Sequence, residues 1–586
     1  MVRFHPRPDN FRSDLRKVSL TTPTSSAPPV FGLRSSAIFR NNLKNTFCTL
    51  ALLISLVSVP SLVAQHHHHG AEGGDANAAI EKFGAVKMPI SCAASVQVPF
   101  ERGIALLHSF WYEEAIKQFQ AVTVADPHCA MAQWGLAMAE WRPFWDGLPE
   151  DRRKAGIAEI DKATSLKPKT DRERQYIAAL SGYLHSSSSD NEAALRTYDD
   201  KMAALSAAHP EDVEATAFYG LALAASIGTQ DPVGDARKAL AVLEPGFQAH
   251  PDHPGFAHYI IHTCDSPQLA REALPAAERY AAIAPSSAHA LHMPGHIFAR
   301  LGMWPEDVES NVASVHASEY AEKNHLGGVT HEAHAYEFLL YAYLQQANDA
   351  EAKRILDLTE PLAAHLRSPE FANDGMAPYV TYFQVEFPSI YYLEMHDWQA
   401  VLAIREPANS LVSTRYYRYW AQTIAAGHLR DAEAADKAAA AAQQLADATQ
   451  KEGSPIGAEM AATLGTAKAW QSFAHKNDDQ ALQQISAAAD IQDRVGQAEV
   501  DIPAREMYAD MLMLDDRPGE ALVQYRTALQ LSPNRYNALA NAGRAAEAAG
   551  RPDEATTYYT QLLKITGNGA KSQRPEVAHA HDFINR

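Results

Sequence analysis

The stretch PAREMYADMLMLDDRPGEALVQYRTALQLSPNRYNALANAGRAAEAAGRPDEATTYYTQLLKI, residues 503–565, reads as two consecutive units, each a pair of short helices. One unit carries Ala509, Ala521, Tyr525, Ala528 and Pro533, and the next carries Ala540, Gly543, Ala555 and Tyr559. Gly519–Glu520 and Asp553–Glu554 open the second helix of each unit with negative charge, which suits the positive end of a helix dipole. Such units bury their apolar faces only against their neighbours, so a chain of them grows by stacking.

The other end of the chain has the same grammar. In VPFERGIALLHSFWYEEAIKQFQAVTVADPHCAMAQWGLAMA, residues 98–139, Gly103, Ala105, Tyr112, Ala115, Phe119, Ala121 and Pro127 recur at matching offsets. Small residues at a helix crossing let the backbones approach, while Trp111, Tyr112 and Phe119 fill the space between. The proline prevents the second helix from continuing and so starts the next unit. These stretches resemble the tetratricopeptide repeat family over 98–141 and 502–566, and less sharply over 254–364. The resemblance implies an all-α, right-handed α-solenoid of helix-turn-helix repeats, placed here at residues 96–566. Between the two ends, helix pairs are expected near 150–186, 190–226, 233–264, 267–302, 304–346, 348–395, 408–448 and 455–494. No stretch alternates with period two for long enough to suggest a sheet. The segments LLHSFWYEEA, CAMAQWGLAM, HYIIHTCDSP and HALHMPGHIFARLGMWPEDVESN resemble a subgroup of exported bacterial tetratricopeptide proteins, which implies an architecture and no activity.

Length and charge agree with that architecture. At 586 residues the chain is too long for one compact core, a limit that a solenoid escapes. The formal charge is −19, and the first 64 residues hold eight basic and only two acidic side chains, so the remainder is more acidic still. Nucleic acid is therefore not an expected partner, because phosphate binding relies on clustered Lys and Arg.

Residues 1–64 read as a leader and signal peptide. Arg34, Arg40 and Lys44 precede an apolar run from Phe47 to Val63, and Ala64 stands before a polar stretch. Export to the periplasm or outside the cell is expected, with an uncleaved N-terminal anchor as the alternative. No later stretch is apolar enough to cross a bilayer. Residues 65–95, with His66 to His69 and a Gly/Ala/Asn-rich run, are expected to be a disordered linker, and residues 567–586 a flexible tail. In an oxidising compartment Cys92 and Cys129 are candidates to pair, leaving Cys264 free.

Chemistry concentrates between Gly255 and Glu337. His258/His262 and His292/His296 are two i, i+4 pairs exactly one 34-residue unit apart, so each pair stacks on one helical face and the two faces lie on neighbouring helices. His289 stands one turn before His292, on the same side. A third cluster follows in GGVTHEAHAYEFLL, where His331, His334 and Glu337 share one helical side. It misses the zinc-protease signature HExxH, because Ala335 occupies the place of the second histidine, and protease chemistry is excluded on that ground. His258, His262, His292, His296, His331, His334 and Glu337 form the candidate metal set, with Asp265 and Cys264 near in sequence. Imidazole suits Zn, Cu and Fe, so a transition metal is the cofactor considered. His289, Trp141 and Trp145 are candidate binding residues, the tryptophans in a turn-rich loop. Duplicated structural histidines are the alternative reading.

There is no Walker-type phosphate loop, no GxSxG turn and no CxxC pair. The leading expectation is an exported scaffold that binds a protein, a peptide or a small ligand in its concave groove. The alternative is a metal-dependent enzyme or metal-handling protein centred on the histidines. Whether the imidazoles converge decides between them.

Overall fold

The computed structural model describes residues 82–144, 148–186, 191–228, 230–372, 374, 376–449 and 457–586. Residues 1–64, expected to be a leader and signal peptide, His66 to His69 and Trp145 lie outside the described residues.

Among the described residues the chain forms 25 α-helices and no strand. They follow one another as hairpins: α1 (Gln97–His108) with α2 (Tyr112–Ala125), α3 (Ala130–Trp141) with α4 (Glu150–Ser165), α5 (Asp171–Leu184) with α6 (Asn191–Ala208), and α7 (Val213–Ala225) with α8 (Pro232–Ala249). The central pairs are α9 (Pro254–Thr263) with α10 (Ala270–Ile283), α11 (Ala288–Arg300) with α12 (Trp304–Lys323), and α13 (His331–Gln345) with α14 (Asp349–Leu366). Then come α15 (Val380–Glu394) with α16 (Trp398–Ala403), α17 (Val412–His428) with α18 (Ala432–Thr449), α19 (Ala458–Ala474) with α20 (Asp478–Val495), α21 (Ala504–Leu514) with α22 (Pro518–Leu531), and α23 (Tyr536–Ala548) with α24 (Pro552–Ile565). Most helices pack mainly on the next, and alternate helices touch as well, α9 on α11 and α11 on α13. That pattern is an α-solenoid of tetratricopeptide-like hairpins.

The residue types explain the hairpins. Gly103 and Gly135 both abut the Phe119 ring, where an added Cβ would stand 2.6 Å from it, so α2 nests between α1 and α3 only because both positions lack a side chain. In at least seven of the hairpins the first helix is followed by a left-handed residue: Phe110, Gly302, Ala347, Arg430, Lys476, Asp516 and Gly550 all have positive φ. The left-handed residue reverses the chain and satisfies orphan carbonyls at the helix end. At Gly302 the choice of glycine is also steric, because an added Cβ would collide with the backbone at Pro533.

That contact belongs to a long-range seam. Trp304 Nε1 donates to the Asn534 carbonyl at 2.8 Å, Asn534 Nδ2 donates to the Gly302 carbonyl at 3.0 Å, and the Tyr536 amide donates to Gln345 at 2.8 Å. The C-terminal repeats therefore dock on the α11–α12 turn and on α13, two hundred residues upstream.

The ends differ from the sequence expectation. Residues 82–95, expected as part of the disordered linker, are packed: Phe83 and Met88 are buried, and the Ala85 amide donates to the Asp252 carbonyl at 2.9 Å. The 567–586 tail, expected to be flexible, forms α25 (Pro575–Ile584), whose Val577 and Ala580 are buried against the preceding repeat, while Arg574 Nε donates to Asp349 at 2.8 Å. In both cases a few apolar residues in a polar segment find a ready surface that composition does not reveal.

Cys92 and Cys129 form a disulfide that ties this N-terminal segment to the start of α3, and Cys264 is a buried free thiol. The bridge spans 37 residues, for which the chain-entropy model gives roughly 3–4 kcal/mol. Reduction, or Cys92→Ser with Cys129→Ser, is expected to lower stability of the α1–α3 region by that order. Denaturant unfolding followed by the fluorescence of nearby Trp111 and Trp134 measures it, and an unchanged midpoint would show the bridge to be dispensable.

Candidate metal centre

Three consecutive first helices of hairpins carry the histidines. His258 and His262 stand on α9, His289, His292 and His296 on α11, and His331 and His334 on α13. Because α9, α11 and α13 lie side by side, the 34-residue spacing becomes lateral proximity. All of these imidazoles except that of the partly exposed His262 are buried.

They gather in two triads. In one, ligand atoms of His292, His296 and His334 all lie within 4.8 Å of one another, and in the other those of His258, His262 and His289 do so. Within the triads His292 Nε2 and His296 Nε2 stand 2.9 Å apart, and His258 Nε2 and His289 Nε2 stand 3.1 Å apart. Two nitrogens bound ~2.0–2.1 Å from one ion stand about 2.9–3.4 Å apart, depending on whether the angle at the ion is right or tetrahedral. The pairs already have the separation of ligands sharing an ion.

The other ring nitrogens explain why the rings point inward. His292 Nδ1 lies 2.6 Å from Asn311 Oδ1. Asn311 is itself oriented, since its Nδ2 donates to the Asp307 carbonyl at 2.9 Å and to the Asp307 side chain at 2.7 Å. Its oxygen must accept, so His292 Nδ1 is the protonated nitrogen. His296 Nδ1 donates to Asp265 at 3.0 Å and to Glu499 at 2.8 Å, and Arg300 neutralises those carboxylates, with Nε donating to Asp265 at 2.9 Å. His334 Nδ1 donates to Glu337 at 2.6 Å, and His258 Nδ1 donates to the His108 carbonyl at 2.6 Å. In all four rings Nδ1 is committed to an outer acceptor, and in His292, His296 and His258 Nε2 stands against the Nε2 of a neighbouring histidine. This is the arrangement in which an outer partner sets the tautomer and orientation of a metal-binding imidazole.

Electrostatics follow from the same contacts. Burial pushes His258 down to about 3 and holds His289, His292 and His334 well below the usual range, so these rings are neutral. At His296 burial works the other way, but the Asp265 and Glu499 carboxylates overcome it and lift the ring to about 9. A protonated His296 then donates from Nε2 to His292 Nε2, and without that proton two lone pairs would face each other at 2.9 Å. An ion can take the place of the proton. Burial lifts the Glu337 carboxyl to about 7 and raises its hydrogen-bonded neighbour Glu386 further, so this carboxyl pair keeps a proton at neutral pH.

Aromatic rings close the array. Phe110, at the left-handed turn between α1 and α2, packs at 4.3 Å from His258, 5.5 Å from His262 and 5.6 Å from His289, centroid to centroid. Phe338 packs 4.8 Å from both His292 and His296. Trp111 Nε1 donates to the Gly327 carbonyl at 2.8 Å and ties the α1–α2 turn to the loop before α13.

Among the sequence candidates, His258, His262, His292, His296 and His334 enter triads, and His289 joins them as a ligand-type residue. His331 belongs to neither triad. Its ring lies 5.2 Å from His289 beside a cavity of about 10 Å³ lined also by Phe110, Trp111 and Gly328. Glu337 holds His334 from outside. Trp141 is a core residue, buried with its ring 4.5 Å from Tyr183 and 4.6 Å from Tyr198. Asn311, Glu499, Phe110 and the His108 carbonyl were not signalled by the sequence. Only Asn311 had a readable cue, as a buried-face polar residue one turn after Asp307 on the helix that follows the second histidine pair.

Gly295 is the tightest point of this support, since an added Cβ would stand 2.7 Å from Asn311 Nδ2 and 2.8 Å from Asp307 Oδ1. Gly295→Ala is expected to cost about 1–3 kcal/mol by overpacking and to release the His292 ring from Asn311. Thermal unfolding, together with the His292 ring NH resonance, checks it. A variant as stable as wild type with that resonance unmoved would show that α12 simply shifts.

No protein-family model matches the chain, and no curated protein matches it. Among solved structures, the chain is similar to the human IFIT1 dimer with PPP-AAAA, at 13% identity and a TM-score of 0.36, covering 74% of this chain and 90% of that one. It is also similar to Naa15/Naa10 bound to HypK-THB, at 12% identity and a TM-score of 0.23, covering 83% of this chain and 90% of that one. At such scores the fold rests on the helix packing described above.

Proposed function

We propose that this chain is an exported metalloprotein, a tetratricopeptide-like solenoid that encloses a transition-metal centre at His292, His296 and His334. The observation that carries the reading is the commitment of every Nδ1 to an outer acceptor: Asn311 for His292, Asp265 and Glu499 for His296, Glu337 for His334. His292 Nε2 and His296 Nε2 are left facing each other in a buried space, with a ring nitrogen of His334 within 4.8 Å. A cluster of buried imidazoles with no ion gains little for its desolvation. Zn, Cu and Fe all accept such a donor set. The bound ion would act as a Lewis acid or redox centre, and the protonated Glu337–Glu386 pair beside His334 would supply or take up protons. Export is supported by the Cys92–Cys129 disulfide, a bond that persists in oxidising compartments.

The scaffold reading draws on the repeat architecture, which presents other surfaces to a protein or peptide. It does not extend to the histidines themselves, because His258, His292 and His296 are at most 4% exposed and no peptide reaches them. No helix of the described residues is long and apolar enough to cross a membrane.

Elemental analysis of the purified full chain tests the proposal. A stoichiometric transition metal is expected in the wild type, reduced by His292→Ala and by His334→Ala. A wild type that is ion-free as isolated, takes up no added Zn, Cu or Fe, and unfolds identically with and without chelator would overturn it.

A further inference from the structure

We propose that residues 82–93 form a strap that holds the first six hairpins in register, and that the Cys92–Cys129 disulfide is the latch that fastens it. The proposal stands apart from the metal centre and does not depend on a bound ion.

The strap carries neither helix nor strand, and it runs against the stacking order of the solenoid. It meets in turn each joint between one hairpin and the next, from the start of α11 back to the start of α3. At the α10–α11 joint the Lys82 amide donates to Ser286 Oγ at 3.0 Å and Lys82 Nζ donates to the Ala282 carbonyl at 2.8 Å. At the α8–α9 joint the Ala85 amide donates to the Asp252 carbonyl, and Gly84, with φ +84°, passes so close that an added Cβ would stand 2.7 Å from that oxygen. At the start of α7, Glu214 accepts from the Lys87 amide at 3.4 Å. At the α4–α5 joint Glu173 accepts from the Ser91 amide and from its hydroxyl, both at 2.6 Å. There Lys169 Nζ also donates to the Ser91 carbonyl at 2.9 Å, and Arg172 Nη1 to the Pro89 carbonyl at 2.8 Å. At the α2–α3 joint stands the disulfide, and Asp126 accepts from the Ala93 amide at 2.8 Å. From α1, Glu101 and Gln97 accept from the amides of Met88 and Ile90 at 3.2 and 3.1 Å.

The reach is right for this path. An extended chain advances at most ~3.3–3.6 Å per residue, and packed helices lie about 8–10 Å apart, so crossing from the fifth joint to the first takes about ten residues. Lys82 to Cys92 has that length.

The solenoid grips the strap mainly by its backbone, and of residues 82–95 only Phe83 and Met88 are buried. Fixing an extended segment costs conformational entropy at every residue, and hydrogen bonds at a wet surface return little because water replaces them. The bridge fixes one end of the strap at the first joint and so lines the rest along the row of acceptors. Reduction by a dithiol supplies two electrons and two protons, leaves the reductant as a disulfide, and returns Cys92 and Cys129 as thiols. The strap is then an arm held by weak bonds alone, while each hairpin keeps its own packing.

Hydrogen exchange read by mass spectrometry on the full chain, oxidised and after reduction with dithiothreitol, tests this. Residues 82–93 are expected to exchange roughly tenfold or more faster after reduction, a local opening, with the interiors of α3, α5, α7 and α9 still protected. Unchanged protection of 82–93 after complete reduction would overturn the latch. Loss of protection throughout α1 to α5 would overturn it too, because the bridge would then hold the fold and not the strap. Cys92→Ser with Cys129→Ser should reproduce the reduced pattern without reductant, and a wild-type pattern in that variant would equally refute the latch. Met88→Asp, with the bridge intact, should free residues 82–90 and leave 91–93 protected. Wild-type protection of 82–90 in Met88→Asp would show that the strap does not open as a separate element.

Discussion

Replacing Arg535 with methionine is expected to destabilise the protein by about 3–5 kcal/mol. Arg535 precedes α23 and is 1% exposed. Its Nε donates to Glu506 at 2.6 Å, its Nη2 to Glu394 at 2.8 Å and to Glu506 at 2.9 Å, and its Nη1 to the Asp501 carbonyl at 3.0 Å and to the Tyr341 hydroxyl. One guanidinium thus joins α13, α15, α21 and α23. A planar group with five donors can satisfy all of these at once, which a lysine cannot. Without it, Glu394 and Glu506 are left buried without their cation, and that penalty, more than the lost attraction, sets the size of the effect. The control follows from the same argument: adding Glu394→Gln and Glu506→Gln to Arg535→Met should restore a good part of the loss. Chemical denaturation of the three proteins measures it. A single variant within about 1 kcal/mol of wild type would show that water enters and hydrates the carboxylates.

The second large effect concerns the ion. For an ion that binds only the folded chain, stabilisation is about 2.7 kcal/mol at a hundred times Kd and about 4.1 kcal/mol at a thousand times. Removing it by chelation should therefore lower the unfolding temperature of the region around α9, α11 and α13 by several degrees, and readdition should restore it. His296→Ala should abolish that difference while lowering the metal-free temperature as well, because Asp265 and Glu499 lose one of their two cations and keep only Arg300. Calorimetry with and without chelator on both proteins separates the two terms. An equal chelator response in His296→Ala and wild type would remove His296 from the site.

The two experiments are linked through Glu499. It reaches His296 from the segment between α20 and α21, while Arg535 holds the Asp501 carbonyl two residues later. Arg535→Met should therefore also weaken metal binding, although Arg535 touches no histidine.

Helical period, small residues at crossings and prolines between units carry local information, and they were enough to place the helices. The helices expected within 267–302 and 304–346 correspond to α10, α11, α12 and α13 within about three residues, but those spans straddle the hairpins, which pair α9 with α10, α11 with α12 and α13 with α14. The i, i+4 histidine pairs and their 34-residue offset were equally legible, since spacing on a helix and between repeats is a property of the chain alone. The packed segments at 82–95 and 575–584 were not, because their few apolar residues have meaning only against surfaces made elsewhere.

What spacing could not supply was direction. Seven histidines on three neighbouring helices can face one space or several, and the choice is made by Asn311 across a hairpin, by the His108 carbonyl 150 residues upstream and by Glu499 203 residues downstream. An imidazole turns about its bonds to satisfy whichever acceptor the folded chain brings to Nδ1, and Nε2 then points the opposite way. The repeat was therefore written in the chain, whereas the convergence of the triads depends on long-range contacts that exist only once the solenoid has packed.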